Sequence, residues 1–307
     1  MRNNTPFVIM LAASLAACSP AAEEAAPAET AEAAAPAITA FSAGENVSPF
    51  AIGSLQAAAL KDAAFAPAND NRTLAVNQTK AAVDAVLTAA GLGTDALELS
   101  VQPLIVRTAD RVLLFDTGNG PTGMLSASMA TAGVAPAAVT DIFISHSHGD
   151  HVGGLVGANG ALAFPNAAVH ISANEWAAMQ ANAQLAALVT AVTPRVATFA
   201  PGAVLVPGTV TAVDIQGHTP GHSGYVIASG EASLLYIGDT MHHWVISVQR
   251  PDWTIAFDGD ALLAQESRKA VLASSAASGQ RVYAVHFPFP GLGTFENRGG
   301  TFMWVAE

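Results

Sequence analysis

A single cysteine, Cys18, among 307 residues excludes a disulfide scaffold. Charge is also scarce. Only 12% of residues are Asp, Glu, Lys or Arg, with 12 basic against 24 acidic. A net charge of -12 argues against a nucleic-acid binder, whose phosphate contacts need a basic face. No apolar run reaches the roughly 18 residues that a membrane span requires. There is no repeat of fixed period, and no glycine-rich phosphate loop follows a strand-like segment, so no nucleotide site is expected. Apolar residues, at 51%, are plentiful. That excludes a disordered chain and suffices for the core of one large domain.

The first forty residues differ from the rest. Arg2 precedes an apolar stretch from Phe7 to Ala17 that ends in Leu15-Ala16-Ala17-Cys18. A basic start, a short apolar segment and small residues form a secretory signal, too short to span a membrane. The small-small-Cys ending resembles a bacterial lipoprotein signal, in which the cysteine is lipidated and becomes the first residue. Residues 1–18 are thus expected to direct export, leaving a periplasmic or cell-surface lipoprotein anchored through Cys18. An ordinary signal peptide with an incidental cysteine is the alternative. Residues 19–40 are almost all Ala, Pro, Glu, Ser and Thr, and read as a solvated tether. Removing Glu23, Glu24, Glu29, Glu32 and Arg2 leaves 20 acidic and 11 basic residues, so residues 41–307 are acidic in their own right.

Within 41–307, apolar or alternating runs predict strands at Phe50–Ala58, Leu97–Val106, Arg111–Phe115, Asp141–Ser145, Ala168–Ser172, Thr209–Ile215, Ser233–Ile237 and Arg281–Val285. Alanine-rich segments with helical spacing lie between them, at Gln78–Ala90, Pro121–Ala132, Ala173–Leu188 and Asp260–Ala277. This mixture suggests an α/β protein with sheets inside and helices outside.

The placement of the nine histidines is the informative feature. His146-Ser147-His148-Gly149-Asp150-His151 directly follows a predicted strand. In extended backbone His146, His148 and Asp150 share one side, and His151 needs only a local turn. Imidazoles and carboxylates are the usual ligands of zinc-like ions. Three further segments place a ligand type in a fixed turn or just after a strand: Gly217-His218-Thr219-Pro220-Gly221-His222, Gly238-Asp239, and His286 before Phe287-Pro288-Phe289-Pro290-Gly291.

These motifs in this order resemble the metallo-β-lactamase superfamily, and the late His-Phe-Pro-Phe-Pro-Gly segment is most similar to the branch of methyl parathion hydrolase and the quorum-quenching lactonases. The resemblance implies a four-layer αββα sandwich, with two mixed β-sheets face to face and helices on both outer faces. It further implies one metal held by His146, His148 and His222, a second held by Asp150, His151 and His286, and Asp239 bridging them. His218 takes a supporting place, because the ligand of the pair is expected after Pro-Gly. Asp116 matches an aspartate that supports the ligand loop. Two divalent ions follow, zinc by default, although manganese, iron or cobalt suit the same donors.

The expected chemistry is hydrolysis by a metal-bridging hydroxide, with Asp150 carrying a proton to the leaving group. His242, three residues after Asp239, lies near where lactonases of this family place a tyrosine that steadies the substrate oxygen, and is expected to act there. No lysine or arginine sits in a motif to hold the carboxylate of a β-lactam. A glutathione thioesterase or a nuclease is disfavoured by the sparse basic residues. A neutral or weakly charged small molecule is therefore expected as substrate, a lactone or carboxyl ester first and a phosphotriester as a side reaction. Trp176, Trp244, Phe287 and Phe289 are candidate pocket residues. A β-lactamase-type amide hydrolase and a non-catalytic metal-binding surface lipoprotein are the competing readings. The resembling branch is often dimeric, which makes a homodimer an expectation as well.

Overall fold

The computed structural model describes residues 38–307. The expected signal and most of the tether lie outside the described residues. The tether reading overshoots at its end: Ile38 packs against the core and the Thr39 carbonyl accepts a 2.7 Å hydrogen bond from Arg107. Among the described residues, no helix is long and apolar enough to cross a membrane.

Two seven-stranded mixed sheets form the centre. In spatial order, the first contains β1 (Val47–Ile52), β2 (Leu55–Leu60), β5 (Leu104–Arg107), β6 (Val112–Phe115), β7 (Asp141–Phe143), β8 (Ala168–Ser172) and β9 (Val196–Phe199). The second contains β10 (Val204–Val206), β11 (Val210–Asp214), β12 (Ser223–Ser229), β13 (Ala232–Tyr236), β14 (Arg281–Tyr283), β15 (Leu292–Arg298) and β16 (Thr301–Ala306). A small ribbon joins β3 (Ala63–Phe65) to β4 (Leu99–Val101). Strands β6 to β9 run parallel, as do β13 and β14, and the other pairs are antiparallel.

The alternation of side chains along each strand builds the layers. Leu113 and Phe115 face the second sheet and pack with Tyr225, Leu234 and Tyr236, while Leu114 faces outward to the core under the helices. Leu235 faces outward from the second sheet. The helices are α1 (Lys80–Ala89), α2 (Leu125–Thr131), α3 (Gly149–Val152), α4 (Ala173–Ala181), α5 (Ala186–Val192), α6 (Ile246–Gln249) and α7 (Ala261–Ser278). Leu125, Met129 and Met179 of α2 and α4 cover the first sheet, and Val271 and Leu272 of α7 cover the second. The four-layer αββα sandwich is therefore present.

Two predicted strands are in fact split. Phe50–Ala58 is a hairpin turning at Gly53-Ser54, where Gly53 has φ 56 and a Cβ would lie 2.6 Å from the Ser229 carbonyl. Leu97–Val106 breaks at Gln102-Pro103, since proline cannot donate to the ladder. Ala173–Leu188 likewise divides into α4 and α5, with Asn182 at the junction.

His243 anchors the start of α6, its Nδ1 accepting from the Val245 and Ile246 amides at 3.1 and 3.2 Å. Burial pushes its pKa down to about 4. The folded state thus binds this proton less readily than the unfolded chain, whose histidine titrates near 6.5. The His243 contribution is complete above pH 6.5 and is lost as pH falls toward 4, by up to about 3 kcal/mol. His243→Asn keeps an acceptor at the cap and removes the titration. Its urea midpoint should fall less than that of the wild type between pH 7.5 and 5; parallel losses would show that His243 does not titrate with folding.

Candidate metal centre

The ligand-bearing segments leave the sheets at one end. Parallel pairing of β6 with β7 puts Asp116 beside Ser145 and His146, and parallel pairing of β13 with β14 brings Asp239 and His286 to the same edge. The extended reading of the His146 segment holds only as far as His148. At Gly149 the chain enters α3, so Asp150 and His151 reach the site from a first helical turn.

Two clusters of donor atoms result, and a third grouping, Asp239, His242 and His286, overlaps them. His146, His148, His218 and Asp239 converge in one, and Asp150, His151 and His286 in the other. Asp239 joins them. Its Oδ2 lies 3.5 Å from His146 Nε2 and 3.3 Å from His218 Nε2, whereas its Oδ1 lies 3.1 Å from His151 Nε2 and 3.0 Å from His286 Nε2.

Here the structure corrects one assignment. His218, not His222, points its ring into the first cluster, 3.0 Å from His148 Nδ1. Both nitrogens of His222 have other partners: Nδ1 donates to the Ile215 carbonyl at 2.8 Å, and Nε2 accepts from the Asp239 amide at 2.9 Å. His222 therefore braces the turn that carries Asp239.

Buried carboxylates set the remaining geometry. Asp116, at φ 58, accepts from the Ser145 amide and hydroxyl, from Tyr236 and from His151 Nδ1, which leaves His151 Nε2 facing the site. Asp116 thus ties the start of the ligand loop at Ser145 to the His151 ring. Asp258 accepts from His218 Nδ1 at 2.9 Å and orients that ring in the same way. Glu175 of α4 ties two ligand loops together, one oxygen accepting from Ser147 and the other from Thr219 and the Gly221 amide. A Cβ at Gly221 would lie 2.2 Å from the Glu175 amide nitrogen, so only glycine permits this approach. The sequence reading missed Glu175 and Asp258, which look there like any other acidic residue.

The electrostatics ask for cations. Burial would raise the Asp239 pKa, but His151, His286 and His146 overcome it and hold the carboxylate well below its usual range. Burial lowers the His218 pKa, yet its bonds to Asp239 and Asp258 bring it up to about 9. Desolvation lowers His151 and His286, but Asp239 and Asp150 together, with Asp116 added at His151, outweigh it and raise both. Metal cations would supply the positive charge that these groups otherwise draw from protons. His151 Nε2 and Asp239 Oδ1 are buried without a hydrogen-bond partner, as donors awaiting a cation would be. Nitrogen and oxygen donors in two clusters with one shared carboxylate fit a dinuclear centre.

Above the clusters lies a cavity of about 400 Å³, lined by His148, Asp150, Asp239, His242 and His286 and walled by Phe65, Pro67, Leu99 and Phe257. Among the described residues, no lysine or arginine lines it. The four aromatics expected there are elsewhere. Trp176 packs under the first sheet, Trp244 and Phe287 belong to the core beside the second, and Phe289 lines a neighbouring cavity. Phe65 and Phe257, 46% and 51% exposed, had no motif to mark them. His242 lines the cavity, with Nε2 3.2 Å from Asp239 Oδ2 and Nδ1 without a partner.

Comparison with known proteins agrees with this geometry. The family model described as "Metallo-beta-lactamase superfamily" matches residues 98–277, more than half of the chain. The structure is similar to that of AidC, a dizinc quorum-quenching lactonase in complex with a product, N-hexanoyl-L-homoserine, at 28% identity and a TM-score of 0.80, covering 85% of this chain and 97% of AidC. It is also similar to the hydrolase AbOPH of the beta lactamase superfamily, at 25% identity and a TM-score of 0.77, covering 86% and 98%. A ribonuclease Z of Methanothermobacter thermautotrophicus is 43% identical over 54 residues, a match spanning 18% of this chain and only 16% of that protein. With a sandwich of this topology and a His/Asp centre at the edge of its sheets, the chain belongs to the metallo-beta-lactamase superfamily of hydrolases.

Proposed function

We propose that the protein is a dinuclear metal-dependent lactonase acting on lactones that carry an apolar acyl chain. One observation carries this reading: Asp239 divides its two oxygens between two histidine-rich clusters at the floor of a cavity with apolar walls and, among the described residues, no lysine or arginine. Such a cavity suits an uncharged ring with an aliphatic tail and offers no partner for the carboxylate of a β-lactam.

His146, His148, His218 and Asp239 would hold one cation, and Asp150, His151, His286 and Asp239 the other, with zinc the favoured ion. When bound, the pair supplies Lewis acidity and lowers the pKa of water to about 7. The side chains do the rest. Asp150, 28% exposed toward the cavity, is kept ionised by His151 and His286 against the effect of burial. It can accept the proton of the attacking water and deliver it to the ring oxygen as the carbonyl carbon–oxygen bond breaks, giving a hydroxy acid. Burial holds the His242 pKa down to about 4, so its ring is neutral, and its single N–H can reach a substrate oxygen only through Nε2, once a cation takes over Asp239 Oδ2. Phe65, Leu99 and Phe257 would shelter the acyl chain.

The test is turnover of N-acyl homoserine lactones of increasing chain length, a nitrophenyl ester and a phosphotriester, each with and without chelator. The lactones should give the highest kcat/KM, lost on chelation and restored by zinc. No lactone turnover by metal-loaded protein, or a clear preference for the phosphotriester, would overturn the reading. Phe257→Ala should raise KM for long-chain lactones roughly 5-fold, the loss of about 1 kcal/mol of apolar contact, with kcat nearly unchanged. An equal KM effect on short and long chains would remove Phe257 from the acyl site.

We further propose export with a lipid on Cys18, on the strength of the segment ending Leu15-Ala16-Ala17-Cys18. Cys18→Ser should then move the protein from the membrane fraction to the soluble fraction.

A further inference from the structure

Helix α7 turns Ala264, Arg268, Val271, Leu272 and Ser275 toward the protein interior. Arg268 is the anomaly in that stripe, a fully buried guanidinium. Its donors all go to one stretch of chain. Nε donates to the Thr240 carbonyl at 2.8 Å, Nη1 to the carbonyls of Pro251 and Trp253 at 3.0 and 3.2 Å, and Nη2 to Asp258 Oδ2 at 2.9 Å. That stretch begins one residue after Asp239 and includes His242, Phe257 and Asp258.

We propose that Arg268 is a positioning residue of the metal centre: it fixes the carboxylate of Asp258, which holds the ring of His218, and it holds the carbonyl of Thr240 beside Asp239. The inference rests on the dinuclear-centre reading but not on the identity of the substrate. Backbone bonds already keep the two loops adjacent, from Gly259 to the His218 carbonyl and from Asp260 to the Gly217 carbonyl. They do not set the His218 ring. With Asp258 Oδ1 accepting from His218 Nδ1, the ring keeps a proton on that side and turns Nε2 to the first cluster, where a cation would take the place of the second proton. The other oxygen of Asp258 would be a buried acceptor without Arg268, and the carboxylate would be free to turn away from His218. The planar fork meets four acceptors at once, which a lysine ammonium with three donors cannot do.

Metal affinity reads this directly, without turnover. Wild type, Arg268→Met, Arg268→Lys and Asp258→Asn are stripped of metal and titrated with zinc against a chromophoric chelator, with Tm recorded in parallel. The wild type should bind two equivalents. Arg268→Met should lose roughly 10- to 100-fold in affinity at one equivalent and little at the other. Asp258→Asn should show a comparable loss, a variant combining Arg268→Met with Asp258→Asn no more than the larger single loss, and Arg268→Lys an intermediate one. Wild-type affinity in both Arg268 variants would overturn the proposal. A lowered Tm in Arg268→Met with unchanged zinc affinity would also do so, since it would make the residue merely structural. Should Arg268→Met fail to fold, wild-type affinity in both Asp258→Asn and Arg268→Lys would decide against it. Failure of the wild type to bind two equivalents would instead remove the dinuclear centre, and the proposal with it.

Discussion

Asp239→Asn should lower metal-dependent hydrolysis by about three orders of magnitude while the protein stays folded. The carboxylate offers Oδ2 to the first cluster and Oδ1 to the second. An amide replaces one of those oxygens with an NH2 group, which has no lone pair for a cation, so one cluster loses its donor. Lewis-acid stabilisation is worth several kcal/mol, and about 4 kcal/mol corresponds to ~10³ in rate. Bound metal should fall below two equivalents, and the lost rate should not return at high substrate, because the missing interaction acts on kcat. The variant should remain soluble and cooperative in unfolding, since the core lies between the sheets and under the helices. Metal analysis and steady-state kinetics on the same preparation decide it. Two equivalents with full activity would show that Asp239 does not join the two clusters.

The parts of this site that were readable from sequence are those where ligand types crowd together. His146 to His151 declares itself because the histidines are close in the chain, and Asp239 and His286 because each follows an apolar run that can only be a buried strand. The layering was legible for a related reason: strands such as β6 and β13 are buried on both faces, and continuous apolar runs mark them. Strand β12 was missed because it starts Ser223-Gly224 directly after the ligand turn, and β15 because its end, Glu296-Asn297-Arg298, is exposed and polar. Of the groups that orient the ligands, Asp116 was marked only by the family resemblance, and the others were not legible. Glu175 and Arg268 sit on alanine-rich helices where either would pass for a solvated side chain, and only the fold reveals that both are fully buried. Phe65 and Phe257 failed for the opposite reason. Each is a lone aromatic in a polar or alanine-rich context, and nothing local tells that the chain folds it over the cavity.

The two histidines of Gly217–His222 give the second large effect, because one turn carries two rings with different work. His218→Ala removes a donor from the first cluster, and Asp258 and Arg268 then hold nothing that points into the site. Bound metal should drop below two equivalents and activity by ~10² or more, several kcal/mol of cation-dependent stabilisation being at stake. His222→Ala should behave differently. It deprives two buried backbone groups of their partner, the Ile215 carbonyl and the Asp239 amide. Each such group costs about 1–3 kcal/mol when left unsatisfied, so unfolding stability should fall by roughly 2–6 kcal/mol. The folded fraction of His222→Ala should still bind two equivalents, since none of the converging donor atoms is lost. Zinc stoichiometry and urea midpoints measured on both variants separate the two roles. If His222→Ala were the variant that lost metal while His218→Ala kept both equivalents, the ligand would be the histidine after Pro-Gly after all, and the first cluster would have to be redrawn around it.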